Sequence, residues 1–456
     1  MTETRVWFET ALLPTGWVSR TRIAVANGRI ARVERDTPAA DGDERHAIGI
    51  PGLPNVHSHA FQRAMAGLAE RRSPGSDSFW TWRETMYRFV ERLDPDAVEA
   101  VACQAYAEML ESGFTRVGEF HYLHHDPQGQ PYANRAELAM RIAAAAAETG
   151  IGLTLLPSFY AHGGFGAKPL TAAGQRRFIN SVDMFREIVE GCQHAIVPIE
   201  GANVGLAPHS LRAVAPDELA AIVAMADPAM PMHMHVAEQT KEVDDCVAWS
   251  GARPVAWLLD HAPVDARWCI IHGTHTTPDE LRAIADRGAT VGLCPITEGS
   301  LGDGVFGARR FLADRGAIGI GTDSNVLIDA AQEIRTIEYV QRLTHRERNV
   351  LTETPGDSSG RTLFDAVLAG GSRALGVRTF GIAEGAPADF IALRADHASL
   401  CARSGDALLD GWIFSARDTP IDRVWRGGRL VVVNGRHVNR AAIESRYRHA
   451  LSRLLA

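Results

Sequence analysis

The side chains whose type and spacing can do chemistry sit where apolar runs end. The run Ile48 to Val56 ends in His57-Ser58-His59. In an extended chain alternate residues point to the same side, so both imidazoles can reach one metal ion. Three further runs end alike. Met230-Pro-Met-His-Met-His235 leads to Glu238, Trp268-Cys-Ile-Ile-His272 ends in histidine, and Ala317-Ile-Gly-Ile-Gly-Thr-Asp323 ends in aspartate. His57, His59 and His235 with the Asp323 carboxylate form a donor set suited to one divalent transition metal, zinc or iron. Such an ion brings the pKa of a water down from about 15.7 to about 7, making hydroxide available at neutral pH. Hydrolysis then needs groups that move protons between the water and the leaving group. Glu238, three residues past His235, is placed to do so. His272 can polarise the bond under attack, and Asp323 can take a proton from the water.

Each residue alone has a structural reading. Asp323 can cap a helix, Glu238 can open one, and His272 can fill a core. What those readings leave unexplained is the joint pattern at four strand ends. His233 shares the parity of His235 but lies deeper in its strand, so it is expected to support the ligands without joining them.

The elements that must position these residues alternate. Candidate strands end near His59, Glu119, Phe159, His209, His235, His272, Pro295 and Asp323. Helical stretches between them carry clear stops and starts. Asp94-Pro95 caps one that runs to Gly113, Thr277-Pro-Asp-Glu280 is a capping box closed by Gly288, and Pro216-Asp-Glu opens another. Eight strand–helix alternations predict an α/β fold, a (β/α)8 TIM-type barrel, whose active site lies at the C-terminal strand ends where all these residues fall. A doubly wound sheet lacks its Gly-x-Gly-x-x-Gly after the first strand. Hairpin signals mark both termini: Asn27-Gly28, Gly427-Gly428 and Asn434-Gly435. They predict a small β-sandwich domain built from residues 1–50 plus 375–456, with the barrel at 51–374; two separate β caps, one at each end, are the alternative reading. The connection from Phe61 to about Asp94 holds Arg71-Arg72-Ser-Pro-Gly-Ser and Phe79-Trp-Thr-Trp82-Arg83, and is expected to be a lid or substrate-binding element.

Bulk properties point away from polymer partners. The 456 residues are 46% hydrophobic and 22% charged, with net charge −8. No Lys/Arg block suggests nucleic acid or a membrane surface, so a small molecule is the expected partner. Six cysteines without Cys-x-x-Cys spacing read as reduced thiols of a cytoplasmic protein. No signal-peptide pattern follows Met1.

These residues together resemble the amidohydrolase superfamily. The likeness includes His57-x-His59, His235-Val-Ala-Glu238, His272-Gly, Gly-Thr-Asp323-Ser, the split β-domain and the re-entry segment Gly381-Ile-Ala-Glu-Gly-Ala-Pro-Ala-Asp389-Phe. Leu206-Ala-Pro-His209 offers no lysine on the fourth strand to bridge two metals, which implies the one-metal deaminase branch. Within it the chain is similar to the formimidoylglutamate deiminase family, on His57-Ser-His-Ala-Phe-Gln-Arg63, Phe79-Trp-Thr-Trp-Arg83-Glu-Thr-Met-Tyr87, Gly118-Glu-Phe-His-Tyr122-Leu-His-His125 and Ala207-Pro-His-Ser-Leu-Arg212. That resemblance implies hydrolysis of N-formimidoyl-L-glutamate to N-formyl-L-glutamate and ammonia in histidine degradation. It also implies one zinc (or iron) per chain and a homodimer. It places Gln62, Arg83, Tyr122, His209 and Arg212 at a small dicarboxylate substrate. Arginine forks suit carboxylates in a way lysine cannot match. After strand seven, Cys294-Pro-Ile-Thr-Glu298 departs from the Cys-Pro-x-Ser-Asn of purine- and triazine-acting relatives. Two alternatives stay open at this point: a deaminase of another C=N compound, such as a guanidino acid or guanine, and an inactive scaffold. Intact metal ligands argue against the second.

Overall fold

Asn27-Gly28 and Gly427-Gly428 turn the chain so that each terminus folds back on itself; all four residues have positive φ, between 51° and 71°, as two-residue hairpin turns require. The structure, a computed structural model, describes residues 4–72, 75, 77–170 and 173–456. Ser73, Pro74 and Ser76 of the Arg71–Ser76 stretch lie outside the described residues.

The terminal strands are β1 (Thr4–Leu13), β2 (Gly16–Ala26), β3 (Arg29–Glu34) and β4 (Glu44–Pro51). The strands β5 (Leu53–Ser58), β6 (Phe114–His121), β7 (Gly152–Phe159), β8 (Asn203–Val204), β9 (Ala207–Pro208), β10 (Met232–Val236), β11 (Trp268–His272), β12 (Thr290–Leu293) and β13 (Ala317–Ile320) follow. The chain ends with β14 (Phe390–Leu393), β15 (Ile421–Arg426), β16 (Arg429–Val433) and β17 (Arg436–His437). The first four and last four strands form one continuous sheet in the order β17-β16-β15-β14-β4-β1-β2-β3. Its halves enclose a core of their own, with Phe8, Phe390 and Trp425 packed ring against ring. The C-terminal helix Arg440–Leu455 leaves this sheet and docks on the barrel helix Pro95–Ser112, where Arg92 donates to the Leu454 carbonyl (2.9 Å) and Arg453 pairs with Asp94.

The inner strands are all parallel, in the order β10-β11-β12-β13-β5-β6-β7-β8, with β9 also on β7. Their residues are almost entirely buried, as expected of strands covered on both faces. The sheet closes into a (β/α)8 barrel at its fourth stave. Leu206 N donates to Pro231 O (2.9 Å), His233 N to Leu206 O (3.0 Å) and His235 N to His209 O (3.1 Å). Pro208 in that stave has no N–H to give to a neighbouring strand. Asp94 caps Pro95–Ser112, left-handed Gly113 ends it, and the Thr277 capping box opens Pro278–Asp286. Within 61–94 the chain is not simply a loop: it holds α1 (Phe79–Val90), opened by a Ser78–Thr81 capping box and burying Phe79, Met86, Tyr87, Phe89 and Val90. Among the described residues no helix is long and apolar enough to cross a membrane.

Candidate active site

The ends of β5, β10, β11 and β13 bring the ligand-type residues to one point. His57 Nε2 lies 3.2 Å from His59 Nε2 and 3.1 Å from His235 Nε2. Asp323 Oδ1 lies 3.4 Å from His57 Nε2 and 3.3 Å from His59 Nε2. Tetrahedral bonds of about 2.0–2.1 Å to one ion would set donors about 3.3–3.4 Å apart. Tautomers agree with that fit. His59 Nδ1 donates to the Phe120 carbonyl (2.8 Å) and His235 Nδ1 to the His209 carbonyl (2.9 Å), so both Nε2 atoms carry lone pairs. Burial pushes all three imidazoles below the usual histidine pKa, helped at His57 and His235 by the neighbouring rings. Lone pairs of His59 and His235 and the Asp323 carboxylate crowded around His57 Nε2 call for a cation at their centre. The residues present therefore fit one divalent metal ion.

The backbone under this cluster is strained and tied down. His272 (φ 68°) and Asp323 (φ 43°) both occupy the left-handed region, a cost that persists only where surroundings enforce it. Asp323 N donates to His57 O and His59 N to Asp323 O, both at 2.9 Å. Asn325 Nδ2 adds bonds to Ser58 Oγ and the His59 carbonyl, each 3.1 Å. A Cβ on Gly321 would lie 2.8 Å from the His57 carbonyl oxygen, so only glycine lets the end of β13 pass this close.

Beside the donors stands Glu238, the expected acid–base group. Glu238 is buried, and burial raises its pKa to about 7. Its Oε1 is 3.9 Å from His272 Nε2, and its Oε2 is 4.0 Å from Arg212. His272 Nε2 also lies 3.8 Å from Asp323 Oδ2, and its Nδ1 donates to Glu298 Oε1 (3.2 Å). Burial opposes a charge on His272, but Glu238, Glu298 and Asp323 outweigh it and raise its pKa to about 10.

A cavity opens over this centre, and all five expected substrate residues line it. Gln62 Nε2 donates to the Tyr122 hydroxyl (2.7 Å), leaving the Tyr122 proton and Gln62 Oε1 without a protein partner. His209 stacks on His235 with centroids 4.8 Å apart, and burial beside Arg212 keeps it neutral. Arg212, on the turn after β9, is buried; Arg83 comes from α1. The Nε atoms of both are buried without a hydrogen-bond partner.

His233 differs from expectation. Its Nε2 bonds the Ala374 carbonyl (2.8 Å), linking β10 to the end of helix Ser359–Ala374 and meeting no ligand. Two residues deeper is about 7 Å lower in the barrel. Three supporting residues escape sequence reasoning. Glu298 orients His272 while accepting Cys294 N (2.9 Å). Glu242 accepts the N–H groups of Ala237 (3.3 Å) and Glu238 (3.1 Å), which fixes the turn that aims Glu238. Asn325 is the third. The one available signal was the carboxylate in Cys294-Pro-Ile-Thr-Glu298, where relatives show an amide.

Residues 48–431 match the model of the amidohydrolase family. The chain belongs to the amidohydrolase family. Residues 3–47 of this amidohydrolase match a second model, described as the N-terminal domain of formimidoylglutamate deiminase HutF. It is 48% identical over 453 residues, 99% of each chain, to a formimidoylglutamate deiminase of Pseudomonas aeruginosa. An amidohydrolase crystal structure from Brucella melitensis superimposes with TM-score 0.96 and 52% identity, covering 99% of this chain and 100% of that one. A zinc-bound adenosine deaminase structure from Xanthomonas campestris shares the fold, with TM-score 0.82 at 23% identity over 99% and 98% of the two chains.

Proposed function

We propose that this amidohydrolase is a formimidoylglutamate deiminase, converting N-formimidoyl-L-glutamate and water to N-formyl-L-glutamate and ammonia in histidine degradation. The observation that carries the substrate is the pair of unpaired arginine Nε atoms, on Arg83 and Arg212, in the cavity above the four-donor cluster. A dicarboxylate gives each guanidinium a bidentate partner, whereas a neutral purine leaves both Nε–H groups without an anionic acceptor. The full-length likeness to the Pseudomonas aeruginosa enzyme supports the same reading.

His57, His59, His235 and Asp323 would hold the metal, and three imidazoles with one carboxylate at tetrahedral spacing favour zinc. When bound, the ion supplies Lewis acidity that brings water's pKa to about 7. The rest of the work falls to the chain. Arg83 and Arg212 bind the substrate carboxylates, and Gln62, Tyr122 and His209 offer neutral hydrogen-bonding groups beside them. His272 polarises the C=N bond. Asp323 takes the first proton of the attacking water, and Glu238 carries protons to the terminal nitrogen. A C–O bond forms at the formimidoyl carbon, its bond to that nitrogen breaks, and both water protons leave on ammonia. The free cysteines support a cytoplasmic setting, and the family likeness supports a homodimer acting on a small molecule.

The test is ammonia release by metal-replete protein offered N-formimidoyl-L-glutamate, a guanidino acid and guanine in parallel. Turnover of the first alone is expected; turnover of guanine instead would overturn the proposal.

A further inference from the structure

Both arginines that face the substrate cavity converge on a single indole. The Arg83 guanidinium carbon lies 4.5 Å from the Trp80 ring centroid, and that of Arg212 lies 5.9 Å away. Lys241 Nζ, at the start of helix Thr240–Ser250, is also 5.9 Å from that ring. These cations come from three separate segments: α1, the turn after β9, and the helix after β10. Of the two arginines, Arg212 has a carboxylate at 4.0 Å, that of Glu238, which belongs to the acid–base machinery, while Lys241 pairs with Asp245 on its own helix (2.7 Å). Two guanidiniums held near each other for an incoming dicarboxylate repel while the site is empty of anions. An aromatic face draws cations without neutralising them. It can therefore hold both arginines in place and leave their hydrogen-bonding edges free.

We infer that Trp80 is a positioning residue for dicarboxylate specificity: its indole fixes Arg83 and Arg212 as one clamp and couples α1 to the barrel wall. The inference rests on the proposed dicarboxylate substrate. Phe79 packs edge-on against Trp80 (5.1 Å between centroids) and sets the ring's orientation. An asparagine or leucine at this position would fill space but take from Arg212 its π face and leave Arg83 only the more distant rings of Tyr87 (5.5 Å) and Phe79 (6.0 Å).

The experiment compares wild type, Trp80→Leu and Trp80→Phe as metal-loaded protein. It uses ammonia release from N-formimidoyl-L-glutamate and calorimetric binding of N-formyl-L-glutamate. Trp80→Leu is expected to raise KM and weaken product binding roughly tenfold, with a much smaller change in kcat. Trp80→Phe should restore much of the loss because it keeps a π face. Combining Trp80→Leu with Arg83→Ala should cost less than the two effects multiplied, since both act through the same clamp. A loss confined to kcat, equal losses in the Leu and Phe variants, or fully multiplicative effects would overturn the inference. Wild type that binds N-formyl-L-glutamate through Trp80 but releases no ammonia would remove the proposed reaction and keep the clamp. Wild type that neither reacts nor binds the dicarboxylate removes both.

Discussion

The floor and the wall of the cavity are built on opposite plans. On the floor, His59 and His235 are satisfied on one side by a backbone carbonyl and face the cluster with a lone pair, while barrel bonds lock His57 and Asp323 to each other's strands. The wall leaves hydrogen-bonding atoms open: the donors Arg83 Nε and Arg212 Nε and the acceptor Gln62 Oε1 are buried without partners. A site for a resident ion can be completed by the strands alone. A site for a transient anion must keep its hydrogen-bonding capacity unspent until the ligand arrives, and so it must be held by contacts that leave hydrogen-bonding edges free. The floor therefore stands on strand ends. The wall draws on a helix, α1, delivered by a connecting segment.

The largest effect should come from breaking the floor. His235→Ala should lower metal content toward zero and abolish ammonia release, with binding of N-formyl-L-glutamate weakened far less; elemental analysis beside calorimetry reads both. Next comes the proton carrier between the two regions. Glu238→Gln should retain one metal per chain yet lose about 10²–10⁴ in kcat, and wild-type turnover in a fully loaded variant would remove Glu238 from the proton path. Glu298→Ala should cost roughly 10-fold in kcat by freeing His272 from its Nδ1 partner, with KM little changed.

The smallest effect concerns stability beneath the floor. Glu119 is buried under the β5 end, where it accepts Ala60 N (2.7 Å), and burial raises its pKa from 4.5 to about 8. Its carboxyl thus stays protonated in the fold where the unfolded chain has already ionised. Stability from this group is fully present below about pH 4.5 and falls as pH rises toward 8, because the unfolded state gains by releasing the proton. Glu119→Gln removes that loss. The variant's denaturation midpoint relative to wild type should climb between pH 5 and 8; a constant difference would show that Glu119 ionises normally.

The floor was legible in the sequence because strand geometry leaves few choices: period two, an apolar run and a barrel rim place His57, His59, His235, His272 and Asp323 together. Caps such as Asp94-Pro95 and Thr277-Pro278 marked helices by local chemistry that the structure repeats. The wall was legible only in part. α1 reads Phe-Trp-Thr-Trp-Arg-Glu-Thr-Met-Tyr-Arg-Phe-Val, rich in aromatic and β-branched residues that disfavour helix in isolation, so packing against the barrel decides its form. Glu298 and Glu242 could not be found by spacing, because their meaning depends on which turn they reach. Glu298 lies 26 residues from His272, and nothing local announces the bond. Trp80 was hidden for the same reason, its cations arriving from three segments.

The division between floor and wall meets its most direct test in one ratio: kcat/KM for N-formimidoyl-L-glutamate over that for its analogue lacking the α-carboxylate, N-formimidoyl-4-aminobutyrate. Leaving a buried guanidinium without its partner costs about 2–5 kcal/mol, so the dicarboxylate should be favoured by at least about 30-fold. In one of the two variants Arg212→Ala and Arg83→Ala, the one that removes the partner of the α-carboxylate, that preference should largely collapse, with metal content intact. Equal kcat/KM for the two compounds in wild type would contradict the claim that this cavity is built for a dicarboxylate.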